Sequence, residues 1–324
     1  MVKRYYGGVI SATAPTGTAV STSGFYGTNQ HMQAKQAGNW PTVGLGLNLK
    51  AIFGYGYITA SVSMTNLVSD TGVVATDTTG VGTARWGLTA TKYGGNKAIF
   101  GYGSDSGPTN LVSNTGVVAA DVARVGTTRI YLAAAGYGGD KALFGYGNGQ
   151  SVTNLVSNTG VVAGDTTGVG TARGNLAAAT YGNDKAIFGY GGGGSITAIT
   201  NLVSNTGVVS NDVTGVGTAR SALAAAGYGV DKAIFGYGET NVSVSMTNLV
   251  SNTGVVSNDV TGVGTARNYL AAAGYGGDKA IFGYGGPSTP YPSVTNLVSN
   301  TGVVSTDTAG VGTARGYLAA ASFG

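Results

Sequence analysis

The residues of this chain that could do acid–base or ion-binding chemistry are few, and most of them recur at one spacing. Six aspartates each stand eight residues before an arginine. The pairs are Asp77 and Arg85, Asp121 and Arg129, Asp165 and Arg173, Asp212 and Arg220, Asp259 and Arg267, and Asp307 and Arg315. A repeated set of charges could surround an anion-binding channel, or it could tie neighbouring segments of a scaffold together. We favour the scaffold, because a ligand site seldom needs six equal parts.

Nucleophilic and metal-binding side chains are scarce. The chain has no cysteine and one histidine, His31, which we expect to have a packing role. Without histidine or cysteine after residue 48, that part of the chain cannot form a Ser–His or Cys–His nucleophile or an ordinary zinc or copper site. The sequence therefore predicts no enzymatic activity, no cofactor and no metal site.

The elements that position these residues come in six copies. The motif Lys-Ala-Ile-Phe-Gly-Tyr-Gly recurs 44 or 47 residues apart, once with leucine for isoleucine. Its copies begin at Lys50, Lys97, Lys141, Lys185, Lys232 and Lys279. A period of this length is typical of a propeller or a solenoid.

Each repeat contains four candidate strands, which we label A to D. Strand A is the alanine run, B is Lys-Ala-Ile-Phe-Gly, C is Asn-Leu-Val-Ser, and D extends from a Val-Val pair towards the arginine. Glycine turns separate A from B and C from D, which indicates two hairpins. Four short antiparallel strands in a repeat of this length are typical of one β-propeller blade. Small residues on A would suit the axis, and Ile-Phe on B would fill the space between blades.

The phase of the repeat predicts how the ring closes. The repeats begin on strand B at Lys50 and end on strand A, in residues 318–324. The first blade thus lacks its own strand A, and the C-terminal strand would supply it and remove an open sheet edge. A solenoid would instead carry atypical polar caps. We predict an all-β, six-bladed propeller over residues 49–324, closed by the C-terminal strand.

The repeat resembles the kelch repeat over residues 49–324. The resemblance rests on Arg220, the following Leu-Ala-Ala-Ala, then Asp-Lys-Ala-Ile-Phe-Gly-Tyr-Gly and Thr-Asn-Leu-Val. Two features depart from the kelch pattern: Gly-Tyr-Gly replaces the glycine doublet, and the tryptophan late in the repeat is missing. The resemblance implies a kelch-like propeller.

Residues 1–48 lie outside the repeats and predict an anchoring arm. The first half is mostly Gly, Ser, Thr, Ala and Pro, and residues 29–37 favour one short helix that would need a docking surface. The aromatic residues that we expect to anchor the arm are Tyr5, Tyr6, Phe25 and Trp40.

The arm resembles the N-terminal segments of virion structural proteins of tailed bacteriophages, notably those of marine cyanobacteria. The similar stretches are Tyr5-Tyr-Gly-Gly-Val-Ile-Ser-Ala-Thr-Ala-Pro15, Ser23-Gly-Phe and Gln-Ala-Lys-Gln-Ala-Gly-Asn-Trp-Pro41. The resemblance implies a virion protein, assembled in the host cytoplasm and present in several copies per particle. It would be a tail fibre or head decoration bound to other virion proteins through residues 1–48. A non-viral kelch-like adhesion module or protein-interaction scaffold is the alternative.

Charge and hydropathy argue against nucleic acid and membrane partners. Most of the net charge of +4 comes from Lys3, Arg4 and Lys35, whereas acids and bases nearly balance in the repeats. A nucleic-acid site needs a clustered basic face. No apolar run is long enough to span a bilayer. We expect neither nucleic-acid binding nor membrane insertion.

The loops between strands B and C vary most in length from repeat to repeat, and in a propeller they share one face. Loops on a rigid scaffold often carry recognition, although neutral drift would produce the same variation. Our candidate binding residues are Tyr57, Glu239, Pro290 and Tyr291. Closure would make the blades of Tyr57 and Tyr291 neighbours, so that the two rings could stack on sugars of a host-surface glycan or contact a host protein. Alternatively, both rings only cover the propeller surface.

Overall fold

The computed structural model of the chain describes residues 49–104 and 107–324. The chain divides into two units, Met1–Leu47 and Asn48–Gly324, and the fold below is that of the second. The predictions for the arm lie outside the described residues; they concern Tyr5, Tyr6, Phe25, Trp40, His31 and the short helix over residues 29–37.

The described residues form eighteen β-strands and no helix. In chain order these are β1 (Lys50–Tyr57), β2 (Ser61–Val68), β3 (Thr89–Tyr93), β4 (Lys97–Gly101), β5 (Thr109–Val112), β6 (Ala133–Tyr137), β7 (Lys141–Gly147), β8 (Gln150–Val156), β9 (Ala177–Tyr181), β10 (Lys185–Gly189), β11 (Thr200–Val203), β12 (Ala224–Tyr228), β13 (Lys232–Gly236), β14 (Thr247–Val250), β15 (Ala271–Tyr275), β16 (Lys279–Gly283), β17 (Thr295–Val298) and β18 (Ala319–Phe323). They make six separate three-stranded antiparallel sheets, which we number as blades 1 to 6: β18-β1-β2, β3-β4-β5, β6-β7-β8, β9-β10-β11, β12-β13-β14 and β15-β16-β17. This arrangement is consistent with a six-bladed β-propeller.

The three strands of each blade are the predicted strands A, B and C, and B lies in the middle. In blade 1 the C-terminal β18 takes the place of strand A and pairs with β1 from Lys50 opposite Phe323 to Gly54 opposite Ala319. Successive B-strand residues such as Ile52 and Phe53 are both fully buried. They do not alternate between core and solvent, because Ile52 packs in a cluster with Phe100 of blade 2 and Phe53 packs against Tyr284 of blade 6.

The fourth strand of each repeat was predicted as a regular strand D, and this prediction is wrong. Segment D pairs with strand C through two isolated bridges, which in blade 1 are Val68 with Val74 and Thr65 with Thr78. The register shifts by one residue between the bridges, as in a β-bulge. The Asn66 side chain fills the gap, since its Nδ2 donates to the Ala75 carbonyl oxygen at 3.0 Å. An amide side chain thus replaces part of the backbone ladder.

The Phe-Gly-Tyr part of the repeated motif forms the contact between blades. The Tyr55 ring of blade 1 lies edge-on to the Phe100 ring of blade 2, with centroids 5.0 Å apart. The same pair joins blade 6 to blade 1, through Tyr284 and Phe53 at 5.2 Å. Gly54 has to be glycine because a Cβ there would lie 2.7 Å from Phe100 Cζ. The expectation that Ile-Phe fills the space between blades is confirmed.

The repeated arginines are buried between blades. Arg85 has no exposed surface. Its guanidinium carbon lies 4.2 Å from the Tyr55 ring centroid of blade 1. On the other side, its Nε donates to the Tyr102 carbonyl oxygen at 2.9 Å and its Nη2 to Asn110 Oδ1 at 2.7 Å, both in blade 2. Each arginine therefore joins two blades, which confirms the scaffold interpretation.

The aspartate near each arginine comes from the following repeat, and not from eight residues earlier. Arg220 pairs with Asp259 at 3.9 Å, and Arg267 pairs with Asp307 at 3.6 Å. Between the last repeat and the first, Asp77 accepts a hydrogen bond of 3.0 Å from the backbone nitrogen of Thr313, two residues before Arg315. The spacing of eight therefore does not mark an ion pair.

A ring of hydrogen bonds lies at one end of the strands A. In each repeat, the residue just before the leucine that leads into strand A takes part in this ring, and we call it the ring residue. Its backbone is left-handed, with φ between 50° and 66°. Its N–H donates to the carbonyl oxygen of its counterpart one blade earlier, over 2.8–3.0 Å. Gly87 donates to Tyr317, so the last repeat meets the first. The ring residues are Gly87, Tyr131, Asn175, Ala222, Tyr269 and Tyr317.

Candidate ligand-binding site

Two variable segments of every repeat meet at one end of the blades. The first residue of each B–C loop forms a backbone hydrogen bond with the first residue of the dipeptide that follows the repeat arginine. Tyr57 and Gly316 exchange two such bonds of 2.8 and 3.0 Å, and Glu239 exchanges two with Ser221. The second residue of each dipeptide is the ring residue at the axis. The parts of the sequence that differ most between repeats thus form one axial face.

Six aromatic side chains, each only partly buried, gather on this face, and we call them the axial aromatic cluster. They are Tyr57, Trp86, Tyr131, Tyr269, Tyr291 and Tyr317. The rings of Tyr269 and Tyr317 are stacked, with centroids 3.9 Å apart and planes inclined by 29°. The centroid of the Trp86 ring lies 5.4 Å from that of Tyr317, 5.6 Å from that of Tyr131 and 6.3 Å from that of Tyr57. The cluster therefore spans several blades.

Tyr291 reaches the cluster from the sixth B–C loop because the residue beneath it is glycine. A Cβ on Gly316 would lie 2.8 Å from a ring carbon of Tyr291, so the ring covers Gly316 directly. Gly316 is the hydrogen-bond partner of Tyr57. Tyr57 and Tyr291, which were predicted to lie on neighbouring blades, thus both contact Gly316.

A cavity of about 570 Å³ lies beside the stacked tyrosines. It is lined by Glu239, Asn241, Val242, Ser243, Asn268, Tyr269, Pro287 and Tyr317. Asn268 is only 2% exposed, and its Nδ2 donates to Glu239 Oε2 at 2.5 Å. Within the described residues, the buried Asn268 Oδ1 and Ser243 Oγ meet no hydrogen-bond partner. Buried polar atoms without a partner are costly in a folded protein, so these two would gain from a hydrogen bond to a water or a ligand.

Burial keeps the hydroxyls of Tyr131, Tyr269 and Tyr317 neutral at physiological pH. Burial, together with the nearby Tyr317 and Tyr291, raises the pKa of Tyr131 to about 12. Burial also raises the pKa of Tyr269 and Tyr317 above the ordinary tyrosine value. These groups can donate and accept hydrogen bonds and offer ring faces for stacking, but they are not phenolate nucleophiles.

Three of the four predicted binding residues belong to the axial aromatic cluster or to the cavity wall, and the fourth, Pro290, does not. Tyr57, Glu239 and Tyr291 all lie on the axial face, with Glu239 in the cavity wall. Pro290 is exposed in the sixth loop, next to Tyr291, and follows a cis peptide bond. It is absent from the lining of the cavity.

Sequence reasoning missed Trp86, Tyr131, Asn268, Tyr269 and Tyr317. All five belong to the dipeptide after the repeat arginine, where the six copies read Trp-Gly, Ile-Tyr, Gly-Asn, Ser-Ala, Asn-Tyr and Gly-Tyr. The flanking residues hardly change between copies. A comparison of the six repeats residue by residue would have identified this dipeptide as variable. A comparison of loop lengths could not, because the dipeptide has the same length in every repeat.

Other kinds of site have no counterpart in the described residues. No three His, Cys, Asp or Glu side chains come together there as a metal site would require. No helix in this part of the chain is long and apolar enough to cross a membrane.

Comparison with known proteins assigns no family to the chain. No protein-family model matches it, and no curated protein matches it significantly.

Proposed function

We propose that this chain is a structural protein of a tailed bacteriophage particle, a tail fibre or head decoration, whose axial face binds a glycan on the host cell surface. Residues 1–48 attach it to other virion proteins, in several copies per particle. The virion role is supported by the resemblance of residues 5–41 to N-terminal segments of phage virion proteins. The binding role is supported by the geometry of the axial face.

One observation carries the binding role: the variable residues of a highly repetitive chain converge on one aromatic face with an unsatisfied polar cavity. Half-exposed aromatic rings can stack on the apolar faces of sugar rings, and Tyr and Trp supply rigid contact area at little entropic cost. Glu239, Asn268 and Ser243 supply groups that sugar hydroxyls can bond to.

We further propose that the six blades form one closed kelch-like ring, sealed by β18. Its support is the pairing of β18 with β1, the contacts of β18 with β3 and β15, and the hydrogen bond from Gly87 to Tyr317. A closed ring would fix the axial face, since the hydrogen bonds of the ring residues join each blade to the next.

The proposed role is binding and not catalysis. Glu239 is the only titratable carboxylate among the residues that line the cavity, and it is the only glutamate of the chain. A glycoside hydrolase of the usual kind needs two carboxylates on either side of the scissile bond. A single carboxylate beside an amide instead suits the recognition of a ligand.

A competition experiment tests the virion and binding roles together. Purified full-length chain, added to host cells before the phage, should occupy the receptor and reduce phage adsorption. The Tyr57→Ala/Tyr291→Ala variant should compete poorly, because it lacks two rings of the cluster. The control variant Val117→Ala/Val161→Ala changes two exposed residues beside the C–D turns, away from the axial face, and should compete like the unmodified chain. Equal competition by all three proteins, or none by any, would overturn the proposal.

A further inference from the structure

The cavity beside Tyr269 and Tyr317 has one charged side chain, the carboxylate of Glu239, among neutral polar and aromatic groups. Glu239 contributes a carboxylate, which only accepts when ionised, and Asn268 contributes an Oδ1 that meets no donor among the described residues. One amide N–H of Asn268 donates to Glu239 Oε2. A ligand group that pairs with the carboxylate and with Asn268 Oδ1 must therefore be a hydrogen-bond donor.

The walls of the cavity also favour positive charge. The stacked Tyr269 and Tyr317 line it, and the faces of aromatic rings attract cations. Glu239 adds a formal negative charge. The guanidinium of Arg267, next to Asn268 in sequence, has no exposed surface and is paired with Asp307 at 3.6 Å. The lining of the cavity thus has an acid and no base.

We infer that this cavity is a subsite for a protonated amine on a sugar ring, such as the ammonium of a glucosamine unit; this rests on the proposed glycan-binding function. The ammonium donates to Glu239 and Asn268 Oδ1, a ring hydroxyl bonds to Ser243 Oγ, and the sugar ring lies against Tyr269 and Tyr317. A metal ion fits less well, because Ca²⁺ needs six to eight oxygen ligands, and the wall opposite the carboxylate consists of aromatic rings.

The test compares two probes of equal length: a tetramer of β-1,4-linked glucosamine and its fully N-acetylated form, which has no ammonium. Binding to the full chain is measured by calorimetry at pH 6. We expect the glucosamine tetramer to bind more tightly, and more weakly as salt rises. Glu239→Gln should lower its affinity by about tenfold or more, because the ammonium loses its hydrogen bond to a charged group. The same variant should weaken binding of the N-acetylated form much less, because that probe has no ammonium to pair with the carboxylate.

Two controls check that the preference comes from the carboxylate of the cavity. Asp70→Asn removes one negative charge in a C–D turn, at the other end of blade 1, and should leave the preference for the glucosamine tetramer unchanged. A melting curve for each variant shows that the fold is intact. Addition of EDTA should have no effect, and a loss of binding with EDTA would overturn the inference in favour of a metal site.

The outcomes separate this inference from the proposed function. In one outcome the chain binds host envelope polysaccharide but does not prefer the glucosamine tetramer, or the Glu239→Gln variant prefers it as strongly as the unmodified chain does. The ammonium subsite is then wrong, and the glycan function stands. If the glucosamine tetramer binds as expected but the host polysaccharide does not, the subsite is right and the proposed host function is wrong.

Discussion

Replacement of Gly283 by alanine tests whether blades 6 and 1 pack like any other neighbouring pair. A Cβ on Gly283 would lie 2.7 Å from Phe53 Cζ of blade 1, too close for a real contact. A Cβ on Gly189 would lie 2.7 Å from Phe235 Cζ, between blades 4 and 5, far along the chain from either end of the repeats. Gly164 is exposed, has nothing within 4 Å of an added Cβ, and serves as the control.

The expected cost follows from two opposing effects. Extra volume in a dense core costs about 1–3 kcal/mol. Alanine in place of glycine also restricts the unfolded chain, which stabilises the native state by about 0.4–1 kcal/mol. We therefore expect Gly283→Ala and Gly189→Ala each to lower the free energy of unfolding by roughly 0.5–2 kcal/mol. Gly164→Ala should leave it unchanged or raise it slightly.

Denaturant unfolding of the three variants measures these differences under the same conditions. A second substitution, Phe53→Leu, shortens the opposing side chain and should reduce the cost of Gly283→Ala by about 0.5 kcal/mol or more, as expected for residues in contact. The reasoning is refuted if Gly283→Ala behaves like Gly164→Ala while Gly189→Ala destabilises. That result would mean that blades 6 and 1 are not packed together in solution.

Three further predictions address the ends of the chain and its acid stability. Truncation after Arg315 removes β18 and exposes the edge of β1, so we expect insoluble or oligomeric protein; a monomer that melts like the full chain would contradict this. Burial of Asp77 works against ionisation, but hydrogen bonds from Thr313 and Asn66 outweigh it and hold the pKa of that carboxyl below its ordinary value. The native state thus binds fewer protons than the unfolded state, and the stability from Asp77 and its five counterparts is complete above the unfolded pKa and lost as pH falls below about 4. Melting temperatures from pH 7 to pH 3 check this, and a flat profile would show that these bonds do not stabilise the fold. Residues 49–324 expressed alone should fold but fail to join the phage particle, and incorporation at normal occupancy would show that the anchor lies in the repeats.

The repeat fold could be predicted because each strand is marked by a short sequence motif and the same motifs recur in all six repeats. The pairing of the C-terminal strand with β1 followed from the phase of the repeat alone, which begins on strand B at Lys50 and ends on strand A at Gly324. Burial of the Ile-Phe pair between blades followed from its composition.

The irregular fourth strand and the ion pairs could not be predicted, because they depend on contacts across space. Asn66 replaces part of the ladder of strand D only because the bulge places its amide beside Ala75. Arg220 pairs with Asp259 of the next repeat, which is 39 residues away in the sequence. The sequence alone also offers Asp212, only eight residues away, as a partner.

The candidate site was predicted in part. Loop variation indicated Tyr57, Glu239 and Tyr291, all of which lie on the axial face. Tyr269 and Tyr317 were missed, since each looks like one more substitution between an arginine and a leucine. Only the left-handed backbone at these positions, with φ of 50° and 56°, brings them to the axis as ring residues.

The fluorescence of Trp86 tests the claim that the axial face is the binding site most directly. The chain has two tryptophans, so a Trp40→Phe variant leaves Trp86, which lies within the aromatic cluster, as the only one. We predict that host envelope polysaccharide changes its emission in a saturable way, and that Tyr57→Ala/Tyr291→Ala weakens the titration. If the labelled chain binds host cells while Trp86 emission stays unchanged at saturation, the ligand binds elsewhere, and the axial face is not the site.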